Sequence, residues 1–153
     1  MFINGIKINF LSGTEFEVTF IDGKVFKYDI SELFDKYPQL RELENRELFI
    51  SGKLDVGGYG VIWNDDLDLS IETVYENGTF VRTERVNANQ QIGYQIAKLR
   101  QKRGVTQSEL SKMTGIDQGD ISKLERGVGN PSLKKIDKIL DALCASIKIS
   151  FEK

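Results

Sequence analysis

The sequence predicts a two-part fold. A small antiparallel α+β domain with short helices covers residues 1–86, and an all-α domain ending in a β-strand covers 87–153. Three observations lead there. Residues 1–86 carry 9 Lys/Arg against 16 Asp/Glu and residues 87–153 carry 12 against 7, so the overall charge of −2 hides −7 and +5. All nine phenylalanines except Phe151 lie in the first part. The apolar period also changes, from two residues in the first part to the helical 3.6 in the second. The short polar stretch Val86-Asn87-Ala88-Asn89-Gln90-Gln91 marks the junction.

In the first part, Lys7–Phe10 opens as a strand, and Phe16, Val18 and Phe20 alternate with Glu15, Glu17 and Thr19. Asp22-Gly23 before Lys24–Ile30 is a hairpin signal, because such a turn needs positive φ. Ser31 can cap a short helix over Glu32–Lys36, interrupted at Pro38. Leu48–Asp55 and Tyr59–Trp63 suggest a second hairpin around Gly57-Gly58, and Ile71–Tyr75 a last short helix. Trp63 belongs in the core.

The second part holds four helical patterns. Ile92, Ile96 and Leu99 form one stripe of a helix over about 90–103, whose basic last turn suits the negative end of a helix dipole. Gly104 stops it. Thr106 caps Gln107–Thr114, which ends at Gly115, and Asp117 caps Gln118–Glu125, which ends at Gly127. Asn130-Pro131 reads as an N-cap with proline at the first helical position. Leu133, Ile136, Leu140 and Leu143 then give the apolar stripe of the fourth helix, with Cys144 as a small buried residue beside it. Ile147, Ile149 and Phe151 alternate with Ser146, Lys148 and Ser150 as a terminal strand.

Composition removes much chemistry. The chain has no histidine and one cysteine, so it offers no Ser-His or Cys-His catalytic arrangement, no imidazole metal ligand, no internal disulfide and no thiolate zinc site. Asn64-Asp65-Asp66-Leu67-Asp68 lacks the spacing and terminal glutamate of a calcium loop. Gly57-Gly58-Tyr59-Gly60 is not followed by the Gly-Lys-Ser/Thr of a phosphate loop. The expectation is therefore a protein that binds rather than catalyses, without metal or cofactor. No apolar run reaches the roughly 20 residues of a membrane span and no signal peptide precedes the chain, so a cytoplasmic location is expected.

Two short helices joined by a turn containing Gly115 make a helix-turn-helix. The second of such a pair offers its N-terminal residues to the major groove of DNA. Here Ile121 and Leu124 supply the apolar face, and Gln118, Ser122 and Lys123 supply hydrogen-bonding groups opposite. Gln suits adenine edges and Lys suits guanine acceptors or phosphate.

On these residues Ile92–Leu143 resembles the lambda Cro/C1 repressor-type helix-turn-helix, also called Xre-type. The matching runs are Leu99-Arg100, Gly104-Val105-Thr106-Gln107, Glu109-Leu110-Ser111, Thr114-Gly115-Ile116, Ile121-Ser122-Lys123-Leu124-Glu125-Arg126-Gly127 and Asn130-Pro131-Ser132-Leu133. The resemblance implies five helices, or four plus an extension, binding to double-stranded DNA at a palindromic operator, and a homodimer. It implies phosphate and base contacts for Gln107 and Gln118, base-facing positions for Gly119 and Lys123, a phosphate-near position for Arg126, and an Arg100–Glu125 ion pair inside the fold. With Thr106, Asp120 and Ser122 these complete the candidate DNA-contacting set. Two residues depart from the pattern: Gly119 has no side chain to read a base, and Asp120 is acidic where a neutral polar residue is common. Readout then leans on Gln118, Lys123 and DNA shape.

The tail resembles the C-terminal strand of some antitoxin repressors, which pairs with its two-fold mate. Ile147, Ile149 and Phe151 would then pair between subunits, or alternatively add to the sheet of their own chain. Residues 5–76 resemble a small bacterial family of unknown function tied to toxin–antitoxin or regulatory genes. That likeness rests on Phe20, Asp22-Gly23, Tyr28-Asp29-Ile30, Phe49, Ile62-Trp63, Asp68-Leu69 and Val74-Tyr75, with Asp66 standing where relatives place a turn glycine. It implies a fold and a gene neighbourhood, not a reaction; the acidic first part is expected to face away from DNA and to take a partner protein, a toxin in the antitoxin version, or a small effector. The expected function is a sequence-specific DNA-binding transcriptional repressor, not an enzyme, and in one version an autoregulating antitoxin; the alternative is an interaction adaptor whose helix-turn-helix does not bind DNA.

Overall fold

The computed structural model describes residues 3–150. The chain forms two compact units, Met1–Val86 and Asn87–Lys153.

The first unit contains a four-stranded antiparallel sheet in the order β1 (Gly5–Phe10), β2 (Glu15–Phe20), β3 (Lys24–Asp29), β7 (Thr79–Thr83). A three-stranded sheet joins β4 (Lys53–Leu54), β5 (Gly60–Asn64) and β6 (Leu67–Ser70). Two helices, α1 (Arg46–Ile50) and α2 (Ile71–Asn77), complete it, with 3₁₀ turns at Ile30–Leu33 and Pro38–Glu44. The β2–β3 hairpin pairs Phe16 with Tyr28 and Val18 with Phe26, which puts the alternating aromatics on one face. Phe16, Val18 and Phe20 are fully buried. Phe16 meets Phe49 and Trp63, whose rings stack at 6.3 Å with 15° between planes, and Phe20 meets Phe26 and Tyr75. The indole N–H donates to the Phe49 carbonyl at 2.8 Å, so the one polar atom of Trp63 is satisfied inside the core.

Several expected elements differ. Leu48–Ile50 is helical rather than the start of a strand, because Asn45 Oδ1 accepts the Leu48 N–H at 3.2 Å and opens a turn of helix there. The second hairpin is therefore shorter, pairing only Lys53 with Ile62 and Leu54 with Val61. The cap of the first 3₁₀ turn is Asp29, two residues ahead of the expected Ser31: its Oδ1 accepts the Ser31 N–H at 3.0 Å. Strands β6 and β7 had no sequence expectation. In β7 every residue is exposed, which leaves no inside–outside alternation to read.

The second unit consists of α3 (Ala88–Lys102), α4 (Gln107–Thr114), α5 (Gln118–Glu125) and α6 (Leu133–Ala142). Its core is aliphatic: Ile96, Leu110, Ile116, Ile121, Leu124, Ile136, Ile139 and Leu143. The polar junction is partly helix, because Asn87 and Gln90 form a reciprocal capping box at the start of α3. Helix α6 is capped by Ser132, whose Oγ accepts the Lys135 N–H at 3.1 Å, and not by Asn130; Pro131 precedes the helix. A serine two residues later offers the same capping oxygen.

Cys144 is exposed and adopts φ 52°, contrary to the buried position expected. It is the left-handed residue of a Schellman ending: the Cys144 N–H reaches Asp141 O at 3.0 Å and the Ala145 N–H reaches Leu140 O at 2.8 Å. Beyond it, residues 145–150 form no strand, and among the described residues no strand pairs with them. A strand needs an edge to hydrogen-bond. Ile147 is exposed and Ile149 is 93 % exposed. Phe151 lies outside the described residues.

Candidate nucleic-acid interface

Helices α4 and α5 are built by local chemistry. Thr106 Oγ1 accepts the Glu109 N–H at 3.0 Å while Glu109 Oε2 accepts the Thr106 N–H at 2.9 Å, a capping box that starts α4. Gly115 ends it at φ 73°. The turn is tied by Ser111 Oγ donating to Ile116 O at 2.6 Å and by Thr114 Oγ1 donating to Leu110 O at 2.8 Å. Asp117 Oδ1 then accepts the Gly119 N–H at 2.8 Å and opens α5.

Ile121 and Leu124 are buried, which fixes how α5 is rotated. Gln118, Gly119, Lys123 and Arg126 are exposed and Ser122 is half-buried. Asp120, also half-buried, is met by Lys135 of α6, its Oδ2 3.2 Å from the ammonium. Arg126 Nε reaches back to Ser122 O at 3.3 Å.

The end of α5 is held from inside. Arg100, only 8 % exposed, donates through Nε to Glu125 Oε1 at 2.5 Å and through Nη2 to Glu125 Oε2 at 2.9 Å. Its Nη1 donates to Val105 O at 2.8 Å. One guanidinium thus ties α3, the loop before α4 and the end of α5, in the bidentate geometry for which arginine is suited. Gln107 joins this network: its Nε2 donates to Glu125 Oε2 at 2.9 Å. Of the candidate contacts, Gln107 therefore has one of its two amide N–H groups committed inside the unit, and Thr106 has its hydroxyl oxygen committed to the cap. The surface side chains that come together on α5 are Gln118, Ser122, Lys123 and Arg126.

Sequence reasoning passed over Gly93. A Cβ there would stand 2.2 Å from Leu124 O, so its absence lets α3 and α5 cross in near-contact. The signal was available: a glycine inside a helix costs about 1 kcal/mol against alanine and so points to a packing reason.

Comparison with known proteins agrees with this geometry. Residues 96–143 match the family model described as Helix-turn-helix, and residues 6–80 match one described as Protein of unknown function (DUF2442). An uncharacterized HTH-type transcriptional regulator of Sinorhizobium fredii, y4dJ, is 36 % identical over 55 residues, spanning 36 % of this chain and 71 % of that one. Among solved structures, a chain of a HipA-HipB-O2-O3 complex is 34 % identical, with 46 % of this chain and 99 % of that one covered at a TM-score of 0.40. NE0471 of Nitrosomonas europaea is 16 % identical over 91 % of this chain and 85 % of that one, at a TM-score of 0.43. With a four-helix unit built around a capped α4–turn–α5, and with the Sinorhizobium fredii regulator 36 % identical and matched over 71 % of its length, the chain belongs to the HTH-type transcriptional regulators, a DNA-binding family, and carries the DUF2442 module ahead of its helix-turn-helix.

Proposed function

We propose that this regulator is a sequence-specific repressor that binds a palindromic operator as a two-fold dimer, with α5 in the major groove. The observation that carries the reading is the exposed face of α5, Gln118, Ser122 and Lys123, set opposite the buried Ile121 and Leu124 on a helix bolted by Arg100 and Glu125. The net +5 of residues 87–153 supplies the phosphate-neutralising charge. Two such helices in successive major grooves would lie about 34 Å apart. Thr106, Gln107, Gly119 and Arg126 fill out the contact surface, with Gln107 acting through its remaining N–H and its oxygen and Thr106 through the start of α4, while Asp120 borders it with its carboxylate held by Lys135.

Binding is tested by gel shift on duplexes selected by the wild-type chain from a random-sequence pool. Gln118→Ala should weaken selected sites by about five- to a hundredfold and relax the base preference. Lys123→Ala should weaken binding and, as a phosphate contact, lower the salt slope by about one. If neither change alters affinity, α5 is not the recognition helix and the adaptor reading takes its place.

The dimer is proposed to close through the tail. Ile147 and Ile149 stand in solvent on a segment with no partner strand among the described residues, and pairing with a second copy through Ile147, Ile149 and Phe151 would bury them. Truncation before Ser146 should give a monomer by light scattering; a truncated dimer would remove this version. The first unit is proposed to take a protein partner or effector, a toxin if the chain is an autoregulating antitoxin. The exposed edge strand β7, with Phe80 and Val81 in solvent, supports a partner surface there.

A further inference from the structure

Asp120 poses a physical problem. It lies in the first turn of α5, where a carboxylate favours the helix dipole but would repel the phosphates that a recognition helix approaches. Lys135 meets it from α6 at 3.2 Å. The position of Lys135 is set in turn by Ser132, whose cap of α6 holds the Lys135 backbone N–H at 3.1 Å. The two side chains line a cleft of about 180 Å³ together with Lys123, Val128 and Pro131. Both are partly exposed, at 37 % for Lys135 and 46 % for Asp120, so the pair adds little to folding.

Resting on the DNA-binding reading above, we infer that Lys135 is a positioning residue for recognition. It neutralises Asp120 and turns its carboxylate toward α6, which leaves the first turn of α5 to be read through Gln118 alone and keeps phosphate approach open. Lys135 spends its charge on Asp120 rather than on the DNA backbone. Removal of the cation exposes a repelling anion, and removal of the anion takes away the repulsion that a half-exposed pair leaves in place.

The test is a double-mutant cycle on the full chain, read as affinity for duplexes selected by the wild type from a random pool, with thermal melting of each variant. Lys135→Met should weaken binding about fivefold, the size of one unscreened like charge near the backbone. In an Asp120→Asn background the same change should cost less than about twofold, whereas Asp120→Asn alone should tighten binding a fewfold and Lys135→Arg should bind as the wild type does. Melting temperatures should stay together, because a half-exposed pair carries little stability. Equal losses from Lys135→Met in both backgrounds would make Lys135 an independent phosphate contact and overturn the inference. Should Lys135→Met fail to fold, Asp120→Asn decides alone: tighter binding supports the pairing, and unchanged or weaker binding overturns it. If the wild type selects no sequence, the DNA-binding reading and this inference fall together.

Discussion

The two units hold themselves together in different ways. The first packs aromatic rings between sheet and helix, Phe16 against Phe49 and Trp63, and satisfies its one indole N–H on a backbone carbonyl. The second has an entirely aliphatic core and adds a buried ion pair, Arg100–Glu125, with side chains 10 % and 6 % exposed. Sheet pairing brings distant segments together without further help. Short helices of eight residues bury too little to fix their own crossing angles, so a directional bond does part of that work. A recognition helix needs a defined orientation more than it needs extra stability, and a bidentate guanidinium specifies orientation. The cost is concentration of risk: the first unit spreads its stability over many rings, whereas the second depends on one carboxylate.

That contrast can be broken by removing the carboxylate. Glu125→Ala leaves Arg100 charged and buried, and Gln107 without its acceptor. Breaking a buried pair from one side costs about 3–5 kcal/mol, enough to unfold a small helical unit. The one tryptophan, Trp63, belongs to the first unit and reports on it separately. The expected outcome is a low-temperature loss of helical circular dichroism with the Trp63 emission transition unmoved. A single shared transition, shifted for both probes, would show that the units do not keep separate accounts of stability.

The same contrast explains what could be read without coordinates. Helices α4 and α5 have the expected bounds because their punctuation is local: Thr106 with Glu109, Asp117 with Gly119, and glycine at 115. Where two capping residues lie close together, Asn130 carries the stronger sequence signal and Ser132 makes the cap. In the first unit the β2–β3 hairpin was legible from alternation around Asp22-Gly23. Strand β7 was not, because it pairs with β3 across about fifty residues of chain and shows no buried face. At the candidate interface, the exposed residues of α5 followed from the Ile121–Leu124 stripe. The Gln107–Glu125 bond and the Lys135–Asp120 pair did not, since each joins different helices and only the packing angle brings them together.

A smaller effect sharpens the comparison from the other side. Asp29 accepts hydrogen bonds from Thr14 Oγ1 at 2.6 Å and from the Ser31 N–H at 3.0 Å. Partial burial pushes its carboxyl up, but these hydrogen bonds, with Lys27 nearby, outweigh burial and hold it below the ordinary carboxylate value. A carboxyl whose folded pKa is depressed binds fewer protons folded than unfolded in the window between the two values, so stability rises with pH there. Its contribution is complete above the unfolded value, near pH 4, and is lost as pH falls through the lower folded value. Asp29 is half-buried, so the effect stays near the about 0.5–1 kcal/mol of an N-cap. Asp29→Asn, which keeps a capping oxygen without the charge, should therefore flatten the acid limb of the Trp63-monitored unfolding profile by that amount and leave the helical transition of the second unit where it was. An unchanged acid limb would mean that the Asp29 carboxyl titrates alike in the folded and unfolded chain, and that the acid sensitivity of the first unit is set by its other carboxylates.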